Sequence, residues 1–244
     1  MRSLVIGATR GLGRSLAELL AKNHHDLFLV SSNARDLAPL AAELTSRYGV
    51  RAFYLACDLA APDPAALHAE VKATLGGIEN LFYIAGLSLR DRDSPPIADE
   101  TALRLVNVNL TSAIRLVNVF FAELAATPGA NIVGIGSVAA ARGRRINSIY
   151  GAAKRGLEGY FEALRHRLAG QACKVQFYRA GYLKTGKTDG RKRFLPALAL
   201  DAAASVIVAN LGKDLGAVYL PRWWGAVTFI LRLLPWAAFK RLDI

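Results

Sequence analysis

Ser3-Leu4-Val5-Ile6-Gly7-Ala8-Thr9-Arg10-Gly11-Leu12-Gly13 opens the chain with a short apolar run that passes straight into a turn carrying three glycines. The apolar spacing of Leu12–Lys22 then predicts a helix. Glycines between a strand and a helix let the backbone approach a pyrophosphate at the positive end of that helix. The spacing here is G-x-x-x-G-x-G, not the dinucleotide fingerprint G-x-G-x-x-G. Taken alone, the same stretch also reads as a tight strand-to-helix turn with no ligand.

The alternation continues outward from this turn. Strands are predicted at Ser3–Ile6, Asp26–Val30, Ala52–Ala56, Asn80–Ile84, Asn131–Gly136, Lys174–Tyr178 and Ala217–Leu220. Between them lie helical patterns at Ala34–Tyr48, Pro64–Leu75, Glu100–Ala126, Ile149–Ala169 and Ala202–Leu211. Apolar strands alternating with amphipathic helices predict an α/β fold, a doubly wound parallel sheet of Rossmann type. Ligands of such sheets bind beyond the carboxyl ends of the strands. Residues 1–220 read as one domain, with 221–244 as a basic, apolar extension.

Composition narrows the class. Of 244 residues 53% are apolar and 21 are glycine, which fits a globular chain with many turns. Cys57 and Cys173 each lie in an apolar strand-like run and read as free thiols in a reducing compartment. The four histidines show no metal-ligand spacing, so no metal is expected. The first apolar residues meet glycine too soon for a cleavable signal segment, which points to the cytoplasm. A net charge of +12 admits nucleic acid, anionic lipid, an acidic partner or phosphorylated substrates.

Tyr150 and Lys154 stand four residues apart on a predicted helix, and Ser137 closes the strand before it. Positions i and i+4 share a helix face, so the ammonium is expected beneath the phenol. A cation there favours the phenolate and draws its pKa from near 10 toward the working range. A strand-end hydroxyl beside them suits a developing oxyanion.

Together with Asp58-Leu59, Ala85-Gly86 and Asn109, these residues resemble the short-chain dehydrogenase/reductases over about residues 1–220. The resemblance implies NAD(P)H-dependent carbonyl reduction, with Ser137, Tyr150, Lys154 and Asn109 catalytic. Asn109 would anchor a water-linked proton relay. By the same resemblance Gly7, Gly11 and Gly13 hold the diphosphate, beside Thr9, Arg10 and Leu12. Asp58 and Leu59 contact adenine, Lys154 also binds the nicotinamide ribose, and Ala85, Gly86, Tyr150, Gly181, Leu183 and Thr185 complete the cofactor site. Two motifs depart from the family. Its Asn-Asn-Ala-Gly is Tyr83-Ile84-Ala85-Gly86, which removes an asparagine that braces the sheet, and its Pro-Gly is Ala180-Gly181.

Val30-Ser31-Ser32-Asn33-Ala34-Arg35 carries no acid at the end of the second strand. A carboxylate there would repel a 2′-phosphate. Ser32, Arg35 and Arg10 therefore favour NADPH over NADH. Arg142, Arg144 and Arg145, between Ser137 and Tyr150, suggest an anionic substrate group, phosphate especially, against the alternative of a solvated loop. Lys184–Arg193 reads as a basic mobile loop.

The apolar run Trp223–Leu231 is far shorter than the roughly 20 residues needed to span a bilayer. With Arg222, Arg232 and Lys240 it suits an element lying at a membrane surface, or else a core or subunit contact. The arginine loop and this tail resemble the decaprenylphosphoryl 2-keto-pentofuranose reductases. That likeness implies a polyprenyl-phosphoryl keto-sugar substrate, a separate flavin oxidase that makes the ketone, and peripheral placement on the inner face of the membrane. A 3-oxoacyl-carrier-protein reductase shares every catalytic residue and is the main alternative. A non-catalytic nucleotide-fold module and a nucleic-acid binder rank below it; no nucleic-acid partner is expected. The family implies a homo-oligomer built on the two long helices.

Overall fold

The computed structural model describes residues 1–89, 97–185 and 195–242. Within them β1 (Arg2–Ile6), β2 (Asp26–Ser31), β3 (Ala52–Ala56), β4 (Asn80–Tyr83), β5 (Asn131–Ser137), β6 (Lys174–Ala180) and β7 (Gly216–Leu220) form one sheet. Its order is β3-β2-β1-β4-β5-β6-β7, with every neighbouring pair parallel. Strand order reverses beside β1, so a crevice opens at the carboxyl ends of β1 and β4.

Alternate residues of each strand feed two cores, as a side-chain period of two requires. Leu4 and Ile6 face α3 (Pro64–Leu75), α5 (Ser112–Ala126) and α6 (Ser148–Arg167), with Leu67, Phe120 and Phe161. Val5 faces the other way, against Leu16 of α1 (Gly11–Lys22), Leu40 of α2 (Ala34–Tyr48) and Ile207 of α7 (Leu200–Val208). Both faces are covered, which is why the strands read as apolar runs.

The helix expected over Glu100–Ala126 is present, with a change of pitch inside it. α4 (Asp99–Val106) passes through a π-helical segment, Asn107–Thr111, before α5 begins. Tyr83 explains the change: its buried hydroxyl donates to the Val108 carbonyl at 2.6 Å and also meets the Ser112 hydroxyl. A side chain that takes an interior carbonyl competes with the helical ladder. The residue that replaces the family asparagine thus braces β4 to this helix, where the sequence reading left the position without a brace. By length and composition Asp99–Ala126 is apolar enough to cross a membrane. Its Leu116, Val117, Phe120 and Leu124 are nevertheless fully buried against the sheet, as in a core helix.

α7 ends earlier than expected. Asn210 and Leu211 make i→i−3 turn bonds, and the Asn210 carbonyl is taken by the Gln176 side chain. Beyond β7 lie α8 (Trp224–Leu233) and α9 (Trp236–Phe239). α8 continues through Arg232, whose side chain turns back to the Ala141 carbonyl at 3.2 Å. Cys57 and Cys173 are both free thiols.

Candidate active site

The glycine turn is closed on itself. Gly7 has φ +95°, and a Cβ there would lie 2.7 Å from the Ala85 nitrogen. A Cβ on Gly13 would lie 1.9 Å from the Gly7 carbonyl oxygen. Gly11, at φ +56°, borders Thr185, whose Cγ2 is 3.8 Å from a Cβ built on it. α1 begins with no side-chain cap and no acid in its first turn, so its leading amides remain available to an anion.

Above this turn is a cavity of about 360 Å³, a size suited to a small-molecule ligand. Of the residues proposed from sequence, Gly7, Thr9, Arg10, Leu12, Ser32, Asp58, Leu59, Ala85, Gly86 and Leu183 line it. Bare backbone at the glycines, an open helix start and an apolar floor fit a dinucleotide.

Several of these residues also carry contacts of their own. Arg35 is absent from the lining; its backbone N–H donates to the Asn33 side chain, which caps α2. Arg10 lines the cavity but is paired with Asp36 at 3.0 Å. Asp58 is bound by both nitrogens of Arg104, at 3.0 and 3.2 Å, and accepts from the Ala60 N–H. That backbone bond first, and Arg104 second, hold its carboxyl below the usual range. Gly181 lies against the tail: a Cβ there would meet the Trp224 indole nitrogen at 1.8 Å. Ser31 and Arg104 line the cavity and were missed. Ser31 meets the Thr9 hydroxyl at 2.9 Å and stands next to Ser32, a signal the sequence did carry. Arg104 offered none, because its partner is 46 residues away.

Ser137, Tyr150, Lys154 and Asn109 converge beside the cavity. Ser137 ends β5, and its Oγ accepts from the Ala139 N–H at 3.1 Å, which leaves its own proton to donate. Gly151 lets α6 approach the turn after β5; a Cβ there would be 3.2 Å from the Ala139 carbonyl. The Tyr150 phenol is thereby hydrogen-bonded to Ser137. Burial pushes the phenol pKa up, against the opposing Ser137 bond and Arg144 charge, and the net is a raised value.

The lysine is held by main-chain carbonyls. Lys154 is 3% exposed and donates to the carbonyls of Ile135 and Ala85, at 3.1 and 3.4 Å. Burial lowers its pKa to about 8. The Arg144 charge acts on Tyr150, opposing the effect of burial. Asn109, fully buried, donates to the Leu87 and Leu105 carbonyls at 2.6 and 2.9 Å and accepts from the Leu87 N–H. Gly86 is where it meets the lysine: a Cβ there would be 3.2 Å from both Asn109 Oδ1 and Lys154 Nζ.

Arg142, expected to hold substrate, is instead a structural clamp. Its Nη1 donates to the Leu231 and Leu234 carbonyls, both at 2.6 Å, and its guanidinium lies 3.8 Å over the Phe239 ring. These are end-of-helix carbonyls that the α8 ladder leaves open. Arg144 reaches Asn147 at 3.3 Å, and Arg145 is exposed. Most of the expected Lys184–Arg193 loop falls at 186–194, outside the described residues. Among the described residues no cluster of His, Cys, Asp or Glu gathers to hold a metal.

A glycine-turned cavity at the strand reversal, with a serine, a tyrosine and a buried lysine at its border, defines a nucleotide-dependent α/β oxidoreductase. The family model for short chain dehydrogenase matches residues 2–194, and the chain belongs to that family. It is 30% identical over 196 residues to the Escherichia coli (strain K12) 3-oxoacyl-[acyl-carrier-protein] reductase FabG, covering 76% of this chain and 75% of that protein. It is 29% identical over 189 residues to Carbonyl reductase family member 4 of Xenopus laevis, covering 77% and 78%. Among solved structures, a short-chain dehydrogenase from Sphingobium yanoikuyae in complex with NADPH superposes with a TM-score of 0.80. That protein is 27% identical, and the match covers 97% of each chain.

Proposed function

We propose that the protein is a carbonyl reductase using NADPH, and that its substrate is the 2-keto group of a pentose carried on a polyprenyl phosphate. A nicotinamide, when bound, supplies the hydride. The chain's own residues handle the oxygen. Ser137 donates to it as negative charge grows, and Tyr150, kept protonated by burial, delivers the proton. Arg144 stabilises the phenolate that remains. Lys154, with a pKa of about 8, is mostly charged at neutral pH yet close enough to exchange its proton.

The observation that carries the substrate reading is the junction of arginine loop and apolar tail at one edge of the site. Arg142 binds α8 and Phe239, while Arg144, whose charge acts on Tyr150, and the exposed Arg145 follow two and three residues later. Such a junction suits a phosphate with a long apolar chain attached. NADPH is supported by Ser31 and Ser32 at the end of β2 and by the likeness to the NADPH-bound Sphingobium enzyme. A flavin oxidase would supply the ketone. The enzyme would work in the cytoplasm at the inner membrane face, as a homo-oligomer joined through α5 and α6.

The likeness to FabG favours a second reading, reduction of a 3-oxoacyl thioester on a carrier protein. NADPH oxidation with a polyprenyl-phosphoryl 2-keto-pentose and with an acetoacetyl thioester, for wild type and Tyr150→Phe, separates the two. Turnover of the lipid sugar alone, reduced about 100-fold or more in the variant, is expected. Turnover of the thioester alone would move the enzyme to acyl metabolism. Failure to bind NADPH would overturn the reductase reading itself.

A further inference from the structure

α8 presents apolar side chains on two faces. Trp224 and Thr228 are buried against the domain. On the outer face Ala226, Phe229, Ile230 and Leu233 follow at helical spacing, and Trp236 of α9 extends the row. The four large side chains are 60–69% exposed, the most open run of apolar residues among those described. Between Ala226 and Ala238 the only charged residue is Arg232, whose guanidinium is turned back to the Ala141 carbonyl. Cations stand at both ends of the row, Arg222 before it and Lys240 and Arg241 after it, all exposed.

We propose that this face of α8 and α9 docks on an anionic lipid surface, with Phe229, Ile230, Leu233 and Trp236 entering the acyl boundary and the flanking cations meeting the headgroups. Charge chooses the occupant. Residues 127–244 carry 19 Lys and Arg against 6 Asp and Glu, and residues 221–244 carry four against one. A second copy seated on the same face would bring like cations together. A row without polar groups offers an acidic protein few hydrogen bonds, whereas lipid needs none there. At ten residues α8 is about 15 Å long, half the thickness of a bilayer core, so it lies on the surface and does not cross it.

The docked face is coupled to the site. Trp224 packs on Gly181 and meets Tyr182 edge-on at 5.3 Å, and Arg142 ties the end of α8 to the loop between Ser137 and Tyr150. The docking surface stands without the polyprenyl reading; delivery of substrate from the bilayer rests on it.

The test is co-sedimentation of the full chain with phosphatidylglycerol–phosphatidylcholine vesicles and with phosphatidylcholine alone, at low and high salt. Binding to the anionic vesicles is expected, lost with salt, and weaker by about tenfold or more in Phe229→Ser/Ile230→Ser/Trp236→Ser and in Lys240→Glu/Arg241→Glu. Retained NADPH-dependent turnover of a water-soluble ketone shows that each variant is folded. Wild type that ignores both vesicles overturns the proposal. So does a triple variant that changes only the oligomeric state, which would assign the face to a second copy. Loss of ketone turnover in wild type would instead count against the reductase reading and leave the docking result standing.

Discussion

The two halves of the chain handle charge in opposite ways. Residues 1–126 carry 12 Lys and Arg against 13 Asp and Glu, so the whole excess of +12 belongs to residues 127–244. In the first half Arg2 meets Glu79, Arg14 meets Glu18 and Glu43, Arg51 meets Asp26 and Arg104 meets Asp58. In the second half Arg165 and Arg179 also find carboxylates, but Arg142 and Arg232 spend their donors on main-chain carbonyls and a ring. Bonding to a carbonyl satisfies hydrogen bonds without cancelling charge. The first half therefore offers an anion chiefly backbone, at the glycine turn. The substrate half keeps its positive field for whatever approaches from outside.

The largest way to break this contrast is to fill the backbone cradle. Gly13→Ala sets a Cβ 1.9 Å from the Gly7 carbonyl oxygen, a main-chain atom that cannot swing aside, and the turn must open. A stability loss of about 3 kcal/mol is expected, together with loss of NADPH binding. Thermal unfolding and an NADPH titration measure both; an unchanged dissociation constant would show that the turn does not carry the cofactor.

Lys154→Met probes a buried cation with no carboxylate among its bonds. The folded-state pKa of about 8 lies below the unfolded value, so between pH 8 and about 10.4 the unfolded chain holds more protons. Stability from this group is therefore lowest below pH 8 and rises as pH climbs toward 10.4. The variant should lose turnover about 100-fold yet unfold a few degrees higher at pH 7, a net gain of about 1–2 kcal/mol once the lost carbonyl bonds are counted. The gap should close by pH 10. Equal midpoints at pH 7 would show that the amine is not penalised.

The smallest effect is expected at Arg142. Arg142→Gln removes the clamp on α8 and should cost about 1 kcal/mol, with soluble-ketone turnover within about twofold of wild type. A fall of a hundredfold in turnover would return Arg142 to the substrate site.

How far the sequence could be read follows from the range of each interaction. The bounds of α2 and α3 match their predicted ranges because the punctuation is local: Asn33 and Asp63 cap their starts, and Gly49 and Gly76 end them in the left-handed region. The glycine turn and the Ser137, Tyr150 and Lys154 constellation were legible as motifs for the same reason. The π segment was not, since it depends on Tyr83 reaching residues 25 and 29 positions away. Arg142 was misread because its acceptors lie 89 and 92 residues on. The direction of the Lys154 amine depends on the Ile135 carbonyl in β5 and the Ala85 carbonyl after β4, which no helical spacing reveals.

Tyr182, Gly181 and the tail have an optical consequence. All three tryptophans of the chain, Trp223, Trp224 and Trp236, lie in the tail and none in the sheet. Trp223 and Trp224 are stacked with ring centroids 4.9 Å apart and planes 20° from parallel, a geometry that couples their transitions. Trp236 stands apart and 69% exposed. Indole emission from this protein is therefore a signal from the tail alone: the stacked pair senses whether α8 stays seated on Gly181, and the lone ring senses its solvent. The chain carries its own label at the place where its behaviour is least like the rest of the fold.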